Sequence, residues 1–140
     1  MGLLDSLAIT DSALTAERLQ MDVIANNVAN ANTTNTPEGG PYRAESVYMT
    51  PADVEANTSG GLANAGVQVA AVVEDQRPPR MVYDPSNPQA NRQGYVAYPN
   101  VDPVTEMTNM MAAQRAYQAN ITVGNSEKSM AMDAIALGHI

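Results

Sequence analysis

The chain contains no cysteine, phenylalanine or tryptophan and only one histidine. Without cysteine it can form no disulfide bond, thiolate nucleophile or cysteine-ligated zinc site. Without Phe and Trp, its 44% hydrophobic share comes mainly from Ala, Val and Met, which bury little area individually. We therefore expect a small core whose stability depends on many small contacts or on neighbouring molecules.

Basic residues are also scarce, with seven Lys and Arg against fifteen Asp and Glu and a formal net charge of -8. A surface of this charge repels phosphate groups, so the sequence argues against nucleic acid and against anionic membrane surfaces as partners. The only histidine, His139, lies beside the C-terminus, where chains fray. No phosphate-binding loop or calcium-loop pattern is present, so we expect no catalysis, no small-molecule substrate, no metal and no cofactor.

The sequence has no apolar run of the roughly 18 residues that a membrane span requires. Its start carries Asp5 where a secretory signal needs a basic residue. We therefore expect no direct membrane insertion and, if the protein leaves the cytoplasm, export without a cleaved signal peptide.

Residues 1–32 form the first of three zones and predict one long helix from Leu3 to about Asn32. The helix interior lacks Pro and Gly, and an apolar residue recurs every seven positions, which is typical of a helix packed against other helices. Its predicted stripe comprises Leu4, Leu7, Leu14, Met21, Ile24 and Val28.

Residues 33–100 form a middle zone rich in Pro, Gly, Asn and Thr, with short β-prone pieces between turns. We expect strands in Tyr42–Met49, Gly66–Val73, Arg80–Tyr83 and Gly94–Tyr98. The stretch Asp53–Ala65 is the segment that we expect to be disordered.

Residues 101–140 predict a second helix, with Asp102 as its N-cap and Pro103 at its first position. Gly124 lies inside the helical pattern, and an interior Gly costs about 1 kcal/mol relative to Ala, so the sequence leaves open whether the helix kinks or breaks there. The apolar residues at helical spacing are Val104, Met107, Met111, Tyr117, Ile121, Met132 and Ile135.

The fold class is therefore mainly α with a small β element, in which the two terminal helices pair as a coiled-coil-like bundle around an irregular middle segment. One helix with so few large side chains cannot hold itself in place. We infer that neighbouring subunits complete the burial of both stripes. The open alternative is an ordinary α+β monomer whose helices pack on its own sheet.

An Asn-rich run closes the first helix, although Asn is a poor helix former, which suggests amide hydrogen bonding to neighbours or to the next turn. This run, Ile24–Thr33, resembles the N-terminal motif of the bacterial flagellar rod and hook family of axial proteins. Asn100–Met107 and Ala113–Asn120 are similar to the matching C-terminal motif of that family. Two motifs in the right order at opposite ends support each other.

The middle zone resembles the proximal-rod type of this family in Gly40–Ala44, Tyr83–Pro88 and Gly94–Val96. Most rod and hook proteins turn directly after the Asn-Thr element, whereas here Thr36–Pro41 intervenes, as in the proximal-rod type. Gly124 stands where the family suggests a larger apolar residue.

The resemblance implies a structural subunit of the basal-body rod, exported unfolded through the flagellar type III apparatus and polymerised beneath the hook into a drive shaft that crosses the periplasm. Its implied partners are copies of itself, other rod proteins and the export apparatus. The two apolar stripes would form the assembly interface. The polar groups that would fix the register of assembly are Asn26, Asn27, Asn30, Arg115 and Asn120. The remaining alternative is a soluble oligomeric adaptor or type III secretion accessory protein with amphipathic terminal helices.

Overall fold

A computed structural model describes residues 3–52 and 66–137. The stretch Asp53–Ala65, for which we expect disorder, lies outside these described residues. The structure contains two long helices that pack together and two small two-stranded sheets, so the expected fold class is confirmed. In chain order the elements are α1 (Leu3–Ala29), β1 (Glu45–Pro51), β2 (Val67–Glu74), β3 (Arg80–Tyr83), β4 (Tyr95–Tyr98) and α2 (Pro103–Leu137).

Helix α1 ends three residues earlier than the sequence pattern predicts, because its asparagines bond to the backbone locally. The side chain of Asn30 donates to the carbonyl oxygen of Asn26 at 3.0 Å. The amide of Thr33 then donates to the carbonyl oxygen of Asn30 at 3.0 Å, within a turn that spans residues 30–32. Asn side chains compete with the helical backbone pattern in this way, which favours turns over further helix.

Strands β1 and β2 form an antiparallel hairpin against α1. Tyr48 pairs with Ala71 and Met49 pairs with Val69, so Ala70 is an extra residue that forms a β-bulge. The hairpin is held to α1 by Ser12, whose hydroxyl donates to the carbonyl oxygen of Ile9 at 2.7 Å and accepts from the amide of Val67 at 3.0 Å. Relative to the sequence expectation, β1 begins at Glu45 rather than Tyr42 and extends to Pro51.

Strands β3 and β4 form a separate antiparallel hairpin around the buried Val96. The rings of Tyr83 and Tyr95 meet edge to face with centroids 5.2 Å apart. Gly94 has a φ of 81°, and a Cβ there would lie 2.8 Å from Cε2 of Tyr83, so both backbone and space require glycine.

Helix α2 begins as the sequence predicts, with the Asp102 carboxylate accepting hydrogen bonds from the amide of Val104 at 3.1 Å and the hydroxyl of Thr105 at 2.7 Å. The question of a break at Gly124 is answered by the structure, in which the helix runs without a break from Pro103 to Leu137. Gly124 lies against α1, where a Cβ would approach Cγ2 of Thr10 to 3.3 Å. Its missing side chain therefore allows the helices to approach closely.

Candidate assembly interface

The two helices run antiparallel, with Ser6 and Thr10 of α1 beside Glu127 of α2 and Asn27 beside Glu106 at the other end. Among the described elements, α2 packs against α1 and contacts no strand. Its less exposed positions follow alternating spacings of four and three residues, as in a coiled coil. They are Glu106, Met110, Ala113, Tyr117, Asn120, Gly124, Glu127 and Ala131, and Ala116 beside Tyr117 is the one half-buried position outside this spacing.

On α2 this seam is mostly small or polar. The buried carboxylate of Glu127 accepts hydrogen bonds from the hydroxyls of Ser6 and of Thr10, the latter at 3.1 Å. Burial also raises the pKa of Glu17, which occupies the same face of α1 two turns further along. Such groups contribute little through the hydrophobic effect, and their burial depends on satisfied hydrogen bonds.

Asn27 is the most buried of the described polar residues, with only 2% of its surface exposed. Its Nδ2 donates to the carbonyl oxygen of Glu45 at 2.8 Å and to Oε2 of Glu106 at 3.1 Å. Its Oδ1 accepts from the amide of Glu45 and from the hydroxyl of Tyr42, both at 2.9 Å. The carboxamide thus uses its full capacity of two donors and two acceptors. One side chain joins α1, the loop before β1, β1 itself and α2.

Burial, reinforced by the negative charges of Glu45, Glu106 and Glu74, raises the pKa of the Tyr42 phenol to about 12. The phenol is therefore neutral over the whole physiological range and donates to Asn27.

We expect Tyr42 to titrate later than a free tyrosine, in a step centred near pH 12. Since the folded pKa lies above the unfolded value of about 10, its contribution to stability is complete below pH 10 and is lost as the pH rises towards 12. The check is the ultraviolet absorbance of phenolate in Tyr42→Phe compared with the unaltered chain. Tyr48→Phe is the control, because it removes an exposed phenol and should leave the late step in place. A late step that persists in Tyr42→Phe would contradict the assignment.

The apolar residues that the sequence analysis assigns to α2 lie mainly on its outer face. Met107, Met111, Ile121, Met132 and Ile135 are exposed, with fractions from 38% at Ile121 to 64% at Ile135. Tyr117 is half-buried in the seam. On α1, Ile24 is buried and the half-buried members are Leu7, Leu14, Met21 and Val28, while the side chain of Leu4 lies outside the described part. Their role in assembly stays a prediction.

The polar residues assigned to register occupy different environments. Asn27 is buried, whereas Asn26 is exposed and its Oδ1 accepts from Nδ2 of the half-buried Asn30 at 2.8 Å. Arg115 is exposed on α2, and Asn120 is half-buried on the seam. Of these five residues, Asn27 alone makes hydrogen bonds that join separate elements of the chain.

Sequence reasoning missed the seam residues Ser6, Thr10, Glu106 and Glu127. A signal for them exists, because Glu106, Ala113, Asn120 and Glu127 recur every seven residues. This repeat does not indicate a buried face by the usual evidence, which is apolar periodicity, because three of its four residues are polar.

Within residues 3–52 and 66–137, no group of three or more His, Cys, Asp or Glu side chains is arranged to hold a metal ion. Neither α1 nor α2 is long and apolar enough to cross a membrane.

Comparison with known proteins matches both ends of the chain to flagellar families. Residues 7–35 match the family described as flagella basal body rod protein, and residues 92–137 match the family described as flagellar basal body rod FlgEFG protein C-terminal.

Similarity to flagellar basal-body rod proteins named FlgC extends over nearly the whole chain. The chain is 46% identical to that of Escherichia coli O157:H7 over 99% of both chains. It is 41% identical to that of Borreliella burgdorferi over 98% of both, and 40% identical to that of Bacillus subtilis strain 168 over 95% of this chain and 96% of the relative. The chain therefore belongs to the FlgC family of flagellar basal-body rod proteins, and it is a structural subunit of the rod rather than an enzyme.

Proposed function

We propose that this rod subunit assembles by burying the outer faces of its two terminal helices against neighbouring axial subunits, both copies and relatives. The observation that carries the proposal is the inverted distribution of side chains on α2. Its large apolar residues lie exposed, whereas its packed face against α1 includes Glu106, Asn120, Gly124 and Glu127.

A helix that has reached its final environment places apolar residues inside and polar residues outside. Fully burying one Met or Ile side chain contributes about 1.5 to 3 kcal/mol. The five exposed members of the α2 stripe are 38% to 64% exposed, so completing their burial would contribute roughly 4 to 8 kcal/mol, before the costs of association. Exposed large apolar side chains aligned along one side of a helix are typical of a protein interaction site.

Arg115 and Asn26 are exposed, so neighbouring subunits can bind their polar groups. Asn27 has a different role in this proposal, because all its hydrogen-bonding groups are used within the chain. It sets the register of α1 and α2 on strand β1, and so fixes the shape that each subunit presents for assembly.

Passage through the flagellar type III export apparatus without a cleaved signal is the route that fits this subunit. A chain without cysteine cannot form a cross-link during transit as an unfolded thread. The two helices can also pair after transit, because the hydrogen bonds between them form only when α2 meets α1 and the middle segment. In this proposal the finished rod crosses the periplasm and transmits torque.

Expression of an epitope-tagged copy of this chain in a flagellated bacterium that lacks its own FlgC tests the proposal. We expect swimming to return, and purified basal bodies to carry the tagged chain in the rod. Basal bodies that form without the tagged chain, or a chain that remains a defined soluble oligomer in the cytoplasm, would count against it.

A further inference from the structure

An open apolar groove of about 350 Å³ lies between the helices near the start of α1. Leu7 and Leu14 form one wall and Ile121 the other, and the missing side chain of Gly124 widens the floor. The two charged rim groups, Asp11 and Lys128, have opposite signs. Lys128 is the only lysine in the chain.

An apolar ridge lies on the other flank of α2. Val123, Met130 and Leu137 are spaced seven residues apart and are all exposed, by 55% at Met130 and 73% at Leu137. At 3.6 residues per turn, Met130 lies about 180° around the helix from Ile121 of the groove.

The ridge extends beyond the end of α1. Ser6 bonds to Glu127, so α2 continues about 15 Å past that contact to Leu137, whereas α1 continues only about 4.5 Å to Leu3, its first described residue. Within the described residues the end of α2 therefore extends past α1, and its exposed apolar side chains are available to another molecule.

Ridge and groove match in spacing and in charge. Leu7 and Leu14 are seven residues apart, which is about 10.5 Å along a helix, and the ridge residues follow the same repeat. Asp133 lies on the ridge side of α2, where it can meet Lys128 on the groove rim of another copy. We propose that the Val123, Met130 and Leu137 ridge of one copy inserts into the Leu7, Leu14 and Ile121 groove of the next.

This inference rests on the proposed assembly and adds a symmetry to it. Because the ridge and the groove occupy opposite flanks, the contact is heterologous, with different surfaces on the two partners. Such a contact leaves a free groove at one end and a free ridge at the other, so it continues into a ring or helix instead of closing as a dimer. A rod subunit requires that kind of contact.

Cysteine cross-linking tests the contact directly, because the native chain has no cysteine. Leu14→Cys and Met130→Cys chains are prepared separately, mixed at high concentration and oxidised. We expect a disulfide-linked dimer from the mixture and far less from either chain alone, and a ladder of multimers when both substitutions share one chain. The control replaces Met130→Cys with Ala112→Cys, an exposed site on the same flank of α2 far from the ridge. Equal yields from the mixture and from the Ala112 control, or dimers from Leu14→Cys alone, would overturn the inference.

The same cysteine pair in basal bodies separates this inference from the proposed function. If the chain is incorporated but Leu14 and Met130 do not cross-link between copies, the ridge and groove contact is wrong and rod assembly stands. If the chain is not incorporated, the proposed function itself fails.

If a cysteine variant loses its helical circular dichroism, a second test uses the unaltered protein. Isotope-labelled and unlabelled preparations of that protein are mixed. A carbodiimide cross-link between Lys128 and Asp133 that joins a labelled peptide to an unlabelled one would support the contact. Its absence at concentrations where the protein self-associates would refute it.

Discussion

Asn27→Ala is expected to lower the free energy of unfolding by about 3 kcal/mol, because a buried polar group without a partner costs about 1 to 3 kcal/mol. The substitution removes the hydrogen bonds to both the amide and the carbonyl of Glu45, and also those to Tyr42 and Glu106. The better helix propensity of Ala recovers only a few tenths of a kcal/mol. The loss should be largest where this carboxamide joins α1 to the start of β1 and to Glu106 of α2.

Asn26→Ala is the matched control, because it makes the same chemical change one position earlier at an exposed site. Its effect should stay within about 0.5 kcal/mol, as for most surface substitutions. Urea unfolding followed by circular dichroism measures both values. Equal midpoints for the two variants would show that the Asn27 hydrogen bonds contribute no net stability.

Met111→Asp is expected to abolish swimming while leaving the isolated subunit as helical as before. Met111 is 52% exposed on the outer face of α2, so the free chain gives up little burial when it is replaced. In the rod the same position would place a carboxylate in an apolar interface, which costs several kcal/mol unless the charge is paired. Every copy carries the change, so each contact between copies is weakened.

Ala112→Asp adds the same charge to the next position of α2, which is also exposed but points about 100° away around the helix. It carries a similar loss of helix propensity. Swim diameter in soft agar and the amount of tagged chain in basal bodies are measured for both variants. Normal swimming by Met111→Asp, or equal loss in both variants, would contradict a specific role for the outer stripe.

Local signals in the sequence determined the elements of this protein. The region without Pro or Gly from Leu3 to about Asn32 predicts α1, which ends at Ala29. The Asp102 and Pro103 pair starts α2 where the sequence analysis places it, and the turns of the middle zone separate four short strands. These features depend on capping, backbone restriction and propensity, all of which act over a few residues. The family was also readable from the sequence, since its motifs lie at the two ends.

Only the tertiary structure decided which side of each helix faces the other. Helix α2 carries an apolar stripe at helical spacing and a small or polar set that recurs every seven residues, and the apolar stripe is the natural choice for the buried face. The structure buries the other one, because Glu127 meets two hydroxyls, Gly124 leaves room for Thr10, and Asn27 finds four partners. Those partners lie up to 121 residues apart in the chain. Hydrogen-bond satisfaction across such distances has no local sequence signature, whereas periodicity and capping do.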